Sequence, residues 1–347
     1  MRLPGGWEYK EYTLYDAKGR NGFYSLRPIL SYNMDVNLIV GARGYGKTFS
    51  VKEHCIKKFI YNNIKTVWVR DTEDAKKELC DNEGNKFFKD VPLMKLKDYK
   101  EGAIKKGQIY VNGQEMGCVL PASTFQRQKG NSFQDCDIIM YDEFIREIGR
   151  FAKNTVWETI NTFSTVLRTR KKAKIFMTAN ALDPGDPFLQ FLGVELKGFG
   201  FYINKEKSVV IHYADSSAKF IKKASEGIVG KLIMNTPLQE NLVESKFMNR
   251  SDLTFDKLPA KCRLVCIIQG FAQAVRLYQA GARYYVTDDI NGLTYPQKRF
   301  CLSLETCDKY LPVLPQKIRK SIRENMSINN ILFQSEFQRK FFINYIC

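Results

Sequence analysis

Histidine is almost absent from this 347-residue sequence, which contains only His54 and His212. Its nine cysteines are scattered singly, and no two of them form a C-x-x-C pair. Because zinc is held by cysteine and histidine ligands at short, fixed spacings, the sequence offers no convincing zinc site. Isolated cysteines are typical of reduced thiols, so we expect a cytoplasmic protein.

Long apolar runs and acidic residues are also in short supply. No stretch reaches the length that crosses a membrane, and the N-terminus has no apolar signal segment, so we expect a soluble protein with no membrane partner. The sequence has only 37 Asp and Glu residues but 54 Lys and Arg residues, which gives a formal net charge of +17 at pH 7. This imbalance favours a polyanionic partner, most simply nucleic acid, and a generally basic protein is the alternative.

The clearest motif lies in residues 41–48. The apolar, β-branched run 36–40 before it predicts a buried strand, and the stretch from Thr48 to about Ile60, which lacks Gly and Pro, predicts a helix. In such a unit the loop N–H groups bind phosphate oxygens, Lys47 neutralises phosphate charge and the Thr48 hydroxyl binds Mg²⁺. A chance glycine-rich turn is the alternative. The motif matches G-x-x-x-x-G-K-[ST] at every fixed position: Gly41-Ala42-Arg43-Gly44-Tyr45-Gly46-Lys47-Thr48.

A second apolar run, residues 136–141, ends in Asp142 and Glu143. Because ligands bind at the carboxyl ends of the strands in an open α/β sheet, we expect both carboxylates beside the phosphates. Asp142 suits a contact with Mg²⁺, and Glu143 suits polarising the water that attacks the γ-phosphate. An acidic turn without function is the alternative, which the complete phosphate loop earlier in the chain disfavours.

Two further strands complete a predicted ATPase core. Residues 65–70 and 174–179 have buried-strand patterns, and the second ends at Asn180, whose amide would sense the γ-phosphate or hold the attacking water. A simple strand-end turn is the alternative for Asn180. Four parallel strands with helices between them, one of these over 155–167, predict an α/β P-loop NTPase fold with a doubly wound, mainly parallel sheet. The Asn112-Gly113 pair predicts a hairpin, and the patterns of residues 200–203 and 209–213 predict a second one.

Past residue 200 the pattern changes, and we predict three parts of the chain: an ATPase domain over 1–214, a linker over 215–246 and a smaller α+β domain over 247–347. The last part has predicted strands at 263–269, 274–279 and 283–287 and helical patterns around 316–325 and 329–345. Asp288 and Asp289 follow a strand, but the preceding strand has no central Asp of the kind a two-metal nuclease needs. Six basic residues could bind DNA, RNA or a protein partner, with a solvated helix face as the alternative: Lys317, Arg319, Lys320, Arg323, Arg339 and Lys340.

The order of these motifs resembles a known family. The sequence resembles the DNA-packaging ATPases of phi29-like tailed phages in four motifs, which occur in this order: Gly-Ala-Arg-Gly-x-Gly-Lys, Asp-Glu-Phe-Ile-Arg-Glu, x-Arg-x-Arg and Asn-Ala. These belong to the additional-strand, catalytic-glutamate division of P-loop NTPases, near the terminase and FtsK/HerA motors. The resemblance covers residues 31–215 well and the remainder loosely. It implies ATP and Mg²⁺ as cofactors, nucleotide binding by residues 41–48, and a coupling role for Asn180.

The same resemblance implies roles for four basic side chains. Arg168 would be an arginine finger that acts on the nucleotide of a neighbouring subunit. Lys129 falls where such motors place a basic residue near a neighbour's nucleotide, Arg146 would support Glu143, and Arg43 lies where terminase-like ATPases often carry arginine. For each of these side chains a solvated surface charge is the alternative.

As a whole, the resemblance implies an ATP-driven translocase that packages double-stranded DNA into a preformed procapsid. The working form would be a homo-pentameric ring on the viral portal, in the host cell cytoplasm, attached transiently to the procapsid and absent from the mature virion. The C-terminal domain would have a degenerate ribonuclease H-like fold without nuclease activity. The resemblance leaves open whether a structural RNA joins the complex. The alternatives are a helicase or FtsK/HerA-type pump, and a nucleotide-switched DNA-binding module, which would have no need of Glu143.

Overall fold

The computed structural model describes residues 1–11, 22–123, 135–145, 155–168, 170–181, 184–247, 253–270, 274–288, 298–302 and 311–346. The predicted site residues Lys129 and Arg146, and also Asp289, lie outside these ranges. The described chain divides into two compact units. The first takes residues up to 181 together with 196–246, and the second takes 184–195 together with the residues from 247 onwards.

Strands and helices alternate along much of the described chain. The strands are β1 (Arg2–Leu3), β2 (Trp7–Glu11), β3 (Val36–Gly41), β4 (Lys65–Arg70), β5 (Gly102–Lys105), β6 (Gln108–Val111), β7 (Gln114–Pro121), β8 (Cys136–Asp142), β9 (Lys174–Asn180), β10 (Gly200–Asn204), β11 (Val209–Tyr213), β12 (Arg263–Gln269), β13 (Ala274–Ala280), β14 (Arg283–Thr287), β15 (Arg299–Cys301) and β16 (Ile331–Phe333). The helices are α1 (Arg27–Leu30), α2 (Lys47–Asn62), α3 (Glu73–Phe88), α4 (Thr155–Leu167), α5 (Pro187–Leu192), α6 (Ala218–Glu226), α7 (Ile228–Leu232), α8 (Pro237–Leu242), α9 (Gln316–Ser327) and α10 (Glu336–Tyr345).

The first unit is built on an 11-stranded sheet with the order β1-β2-β10-β11-β3-β9-β8-β4-β7-β6-β5. The six central strands, from β11 to β7, run parallel. Their side chains are buried, as the apolar runs predict, because helices cover the faces of a parallel sheet. The predicted α/β P-loop fold with a mainly parallel sheet is therefore confirmed.

Two strands that the sequence pattern assigned only to hairpins also belong to the parallel core. β7 and β11 are the second arms of the predicted hairpins, and each also pairs in parallel with a core strand, β4 and β3 respectively. The turn at Asn112-Gly113 has φ values of 53° and 77°, the left-handed pair that an Asn-Gly hairpin predicts. Each hairpin thus returns the chain to the core sheet.

The position of β9 determines where the site residues meet. β9 lies between β3, which leads into the phosphate loop, and β8, which carries Asp142. The register pairs Gly41 with Asn180 and Asp142 with Thr178. All three strands end at the same edge because they are parallel. The additional strand therefore inserts its own polar side chains between the loop and the carboxylates.

The second unit is built on a five-stranded sheet with the order β15-β12-β13-β14-β16. β12, β13 and β14 lie where three strands are predicted and form an antiparallel meander. β15 and β16 pair in parallel with β12 and β14. The prediction of a helix from residue 329 is wrong at its start. Ile331–Phe333 is a strand because its residues pair with β14, and helix α10 begins after Ser335, whose Oγ accepts the Gln338 N–H at 3.4 Å.

Three of the six basic residues that could bind a partner make contacts within this unit. Arg319 donates to the carbonyls of Leu302 and Tyr345, at 2.9 and 3.1 Å, and Arg323 donates to that of Ile346 at 2.8 Å. Arg339 pairs with the buried carboxylate of Glu336 at 2.6 Å. Lys317 and Lys320 are exposed on α9.

Two composition-based expectations can be compared with the structure. Six of the described cysteines are free thiols, but Cys301 is disulfide-bonded, so the expectation of reduced thiols is wrong for that residue. In the described part of the chain, no helix combines the length and the apolar character that crossing a membrane requires.

Candidate active site

The phosphate loop has the conformation that its glycines predict. Gly44 and Gly46 have φ values of 72° and 94°, and a Cβ at Gly44 would have no atom within 4 Å. Gly46 is the residue before α2, so Lys47 and Thr48 begin the helix. Because the first N–H groups of a helix lack intrahelical partners, the loop and this helix end together form a site for anionic phosphate.

Lys47 is buried, and its side chain reaches from the start of α2 back to the loop. Its Nζ donates to the carbonyls of Gly41 and Ala42, at 3.0 and 2.6 Å, and to Oδ1 of Asn180 at 3.1 Å. The structure therefore brings Asn180, predicted from the end of a strand, into direct contact with the phosphate-loop lysine. The Lys47 ammonium donates to neutral oxygens here, and the same N–H donors can transfer to phosphate oxygens.

Three other residues of the motif are placed differently. The Tyr45 ring is buried against Tyr24 and Phe220, with ring centroids 6.0 and 5.1 Å away, so only the backbone of Tyr45 faces a ligand. The Ala42 N–H donates to Oγ of Ser245 at 2.7 Å. Arg43 is exposed and lines the cleft beside the loop.

An oxygen-rich cluster lies at the start of α2. Oδ1 of Asp142 accepts hydrogen bonds from the hydroxyls of Thr48 and Thr178, at 2.7 and 2.8 Å, and the two hydroxyl oxygens are 3.4 Å apart. Thr178 lies on β9 and was not predicted as a site residue. These hard oxygen donors are of the kind that Mg²⁺ prefers.

Arg70 is the main site residue that the motif analysis missed. Its two terminal nitrogens donate to Oδ2 of Asp142 and Oε2 of Glu143, each at 2.8 Å. Burial lowers the pKa of Arg70, but the charges of both carboxylates outweigh burial and raise it above its ordinary value. The sequence shows that this strand ends in a positive charge, but only the structure shows that β4 pairs in parallel with β8.

Glu143 follows β8 in a left-handed conformation, with φ of 59°. Such a backbone costs a non-glycine residue about 1–2 kcal/mol. The turn is held by the next residue, because the Phe144 N–H donates to the Thr178 carbonyl at 3.1 Å and the Phe144 side chain is buried. Glu143 is half exposed and lines a cleft of about 670 Å³ with Arg43, Thr48 and Asp142.

Arg168 lies at the opposite edge of the sheet from this cleft. It follows α4, the helix between β8 and β9, and the nearby Arg170 contacts the Cys136 carbonyl and Asp137 at the start of β8. The seven residues of β8 separate that start from Asp142 by about 20 Å, at about 3.3 Å per residue. The structure does not bring Arg168 to the phosphate loop of its own chain.

The fold and the site define a class of protein. Three features identify an additional-strand, catalytic-glutamate P-loop ATPase. They are a phosphate loop, a strand inserted between that loop and the strand that carries Asp142, and a glutamate directly after Asp142. Within that class, residues 19–314 match the family of the Podovirus DNA encapsidation protein (Gp16). The chain belongs to this family, as its motifs predict.

Individual relatives agree with this assignment. The DNA packaging proteins of Bacillus phages B103 and phi29 are 28% and 27% identical, over 75% and 73% of this chain and 80% and 75% of their own. The fold is similar to the bacteriophage Phi-29 viral genome packaging motor assembly, with a TM-score of 0.65 at 20% identity over 92% of this chain and 97% of that one. It is also similar to the Phi-28 gp11 DNA packaging motor, with a TM-score of 0.64 at 17% identity over 94% and 98%.

Proposed function

We propose that this chain is the ATPase subunit of a motor that packages double-stranded viral DNA into a preformed procapsid. The observation that carries the proposal is Glu143, half exposed at the cleft and held at 2.8 Å by Arg70 beside a complete phosphate loop. A nucleotide switch without turnover needs the loop but not this carboxylate. Because the chain belongs to a family of DNA encapsidation proteins, the hydrolysis would supply the energy for moving DNA.

Each group at the loop has a part in the proposed hydrolysis. The loop N–H groups and Lys47 bind the β- and γ-phosphates once Lys47 leaves the carbonyls of Gly41 and Ala42. Asn180, released from Lys47, then contacts the γ-phosphate or the attacking water. Glu143 accepts a proton from that water as its oxygen bonds to the γ-phosphorus and the bond to the ADP oxygen breaks.

Thr48 and Asp142 are the proposed residues for Mg²⁺. Their oxygens fit this ion, and among the described residues no group of three His, Cys, Asp or Glu side chains could hold a metal by itself. The phosphate oxygens of ATP would therefore complete the coordination. When bound, the ion neutralises charge on the phosphates.

Arg168 requires a neighbouring subunit in this proposal, because it lies at the far edge of its own sheet. The exposed face of α4 that leads to Arg168 carries Trp157 and Ile160, whose side chains are 55% and 41% exposed. A second exposed apolar set lies on α7: Ile228, Val229 and Leu232. A ring needs two different surfaces that meet head to tail. We assign one to α4 and the other to α7, and adopt five subunits from the family resemblance.

The remaining assignments also stand as proposals. Lys129 would lie near the neighbour's nucleotide, and Arg146 would support Glu143. The domains would be 1–214 and 247–347 with a linker over 215–246. The second domain, ribonuclease H-like without nuclease activity, would contact DNA, the portal or a structural RNA. The protein would act in the host cell cytoplasm, attached transiently to the procapsid and absent from the mature virion.

The proposal is tested by measuring ATP hydrolysis with and without duplex DNA and with procapsids. Glu143→Gln should bind ATP but lose turnover by about 10²-fold or more, because an amide cannot accept the proton. Lys47→Ala should instead lose ATP affinity, because phosphate charge goes uncompensated. Glu206→Gln, on the exposed turn between β10 and β11, is the matched control. Normal hydrolysis by Glu143→Gln would show that the catalytic assignment is wrong.

A further inference from the structure

One peptide group connects the phosphate-loop lysine to a serine outside the motif. The Gly41 carbonyl accepts a hydrogen bond from Lys47 Nζ at 3.0 Å, and the N–H of the same peptide group, on Ala42, donates to Ser245 Oγ at 2.7 Å. The group is planar and rigid, so its two ends move together. A cation at the carbonyl also polarises the group and makes its N–H a stronger donor.

Ser245 is fixed by several contacts. Its Oγ lies 2.9 Å from that of Ser216, and its carbonyl accepts the Tyr213 hydroxyl at 2.8 Å. The side chain is fully buried, and φ is 65°. A non-glycine residue in this left-handed conformation costs about 1–2 kcal/mol, and such strain persists where the surroundings determine the backbone. Ser245 is therefore held in place against the phosphate loop.

Both ends of the segment 214–246 are attached to residues that lie next to the phosphate loop. At its start, the Ala214 N–H donates to the Val40 carbonyl at 2.7 Å. Near its end, the Asn241 side chain donates to the carbonyls of Ala181 and Lys246, at 2.5 and 2.8 Å. Helices α6 and α7 lie between these attachments, and Asn241 is a residue of α8. The second unit begins at Phe247, two residues after Ser245.

We propose that Ser245 is a positioning residue that transmits the state of the phosphate loop to segment 214–246 and, along the chain, to the second unit. This rests on the proposed function, because ATP must draw Lys47 away from the Gly41 carbonyl. The Ala42 N–H then becomes a weaker donor and the bond to Ser245 weakens. By linkage, a DNA contact that fixes the segment changes ATP affinity by the same factor.

The test measures the affinity of the full-length protein for duplex DNA with a non-hydrolysable ATP analogue and with ADP. In the unaltered protein the two affinities should differ by about fivefold or more, the usual range for coupled sites. Ser245→Ala and Ser245→Gly should bring the ratio to within about twofold of one, while affinity for the analogue without DNA changes less than about threefold. The glycine variant also relieves the left-handed strain, so a loss of coupling there does not come from unfolding.

Thr236→Ala is the matched control and should keep the full ratio, because it removes a hydroxyl of the same segment that donates to the Ile233 carbonyl and not to the loop. If the unaltered protein shows no difference between analogue and ADP, the proposed translocase function is wrong. If it shows the difference and both Ser245 variants keep it, only the role of Ser245 is wrong. Loss of analogue binding by both variants would make Ser245 a support for the loop and would also overturn the coupling role.

Discussion

At the scale of single residues, Arg70 contacts two carboxylates with one side chain. Its planar guanidinium group presents separate N–H donors to Asp142 and Glu143, and the Arg70 side chain is only 12% exposed. A lysine carries the same charge but cannot present such a fork. Because Glu143 follows Asp142 directly in the chain, the cation between their carboxylates also offsets the repulsion between them. We infer that Arg70 positions Glu143 for catalysis.

Arg70→Ala and Arg70→Lys should both lower the kcat of ATP hydrolysis by about 10²-fold, the loss expected when a catalytic group moves by about 1 Å. The KM for ATP should change only a few-fold, because the loop and Lys47 are intact. Steady-state kinetics on both variants check this. The matched control is Lys86→Ala, which lines the same cleft but pairs with the exposed Glu78. An unchanged kcat in Arg70→Lys would show that Arg70 acts on catalysis through its charge alone and that its two separate hydrogen bonds to Asp142 and Glu143 are not needed.

The two histidines make stability depend on pH. Burial lowers the pKa of His212 to about 3, and burial together with Lys58 and Lys57 lowers that of His54 to about 4, from an ordinary value of 6.5. Below 6.5 the unfolded chain binds protons that the folded chain does not, so stability is complete above that pH and falls as the solution is acidified. The slope should approach about 1.4 kcal/mol per pH unit for each histidine.

The measurement is the free energy of unfolding in urea at several values between about pH 7 and pH 5, above the range where carboxylates titrate. Because the chain has only two histidines, the double variant His54→Gln, His212→Gln removes this titration completely. Its stability should be nearly flat in that window. An equal slope in the variant and the unaltered protein would show that other groups cause the dependence.

At the scale of elements, β7 can join the parallel core because of one glycine. Gly117 has φ of 151°, and a Cβ there would lie 1.9 Å from the Thr66 carbonyl oxygen on β4. At this close contact the pairing of β7 with its hairpin partner β6 ends and its pairing with the core strand β4 begins. A residue with any side chain would force the two strands apart.

Gly117→Ala should therefore destabilise the protein by about 3 kcal/mol, the upper part of the range for overpacking. Gly113→Ala is the matched control: it also has a positive φ, but its Cβ would meet nothing within 4 Å. Only left-handed strain, about 1–2 kcal/mol, is expected there. Urea unfolding of both variants measures the difference. Equal losses at the two positions would contradict the steric explanation.

At the scale of the whole molecule, the separation between Arg168 and its own phosphate loop predicts that subunits complement each other. Arg168→Ala and Glu143→Gln subunits should each be nearly inactive alone. A mixture should recover part of the ATP hydrolysis, because some interfaces then combine an intact Glu143 with a neighbour's intact Arg168. An arginine finger contributes about 10³–10⁵-fold to the rate, so the recovery should be easy to measure.

The control mixes each variant with a Glu206→Gln subunit, which has an intact site and an intact Arg168. Mixtures of the two inactive variants that stay inactive would indicate that Arg168 has a structural role or acts within its own chain. Adding Ile160→Asp to both subunits should abolish the recovery if the face of α4 forms the ring contact. Recovery that persists would assign that contact to another surface.

The sequence by itself determined the features that depend on neighbours along the chain. The spacing from Gly41 to Thr48 specifies the phosphate loop, the apolar run before Asp142 specifies a buried strand with carboxylates at its end, and Asn112-Gly113 specifies its hairpin. Each depends on backbone preferences or side-chain periodicity over a few residues. For the same reason Ile331–Phe333, whose conformation depends on pairing with β14, was predicted wrongly.

Only the tertiary structure decided which distant residues complete the site. Arg70 contacts Asp142 across 72 residues, and Ser245 contacts Ala42 across 203. Neither contact leaves a local pattern, because it arises from the parallel order of β4, β8, β9 and β3 and from the return of the chain after β11. The placement of Arg168 at the far edge of the sheet has the same origin. A crossover helix must carry the chain back to the edge where the next parallel strand begins.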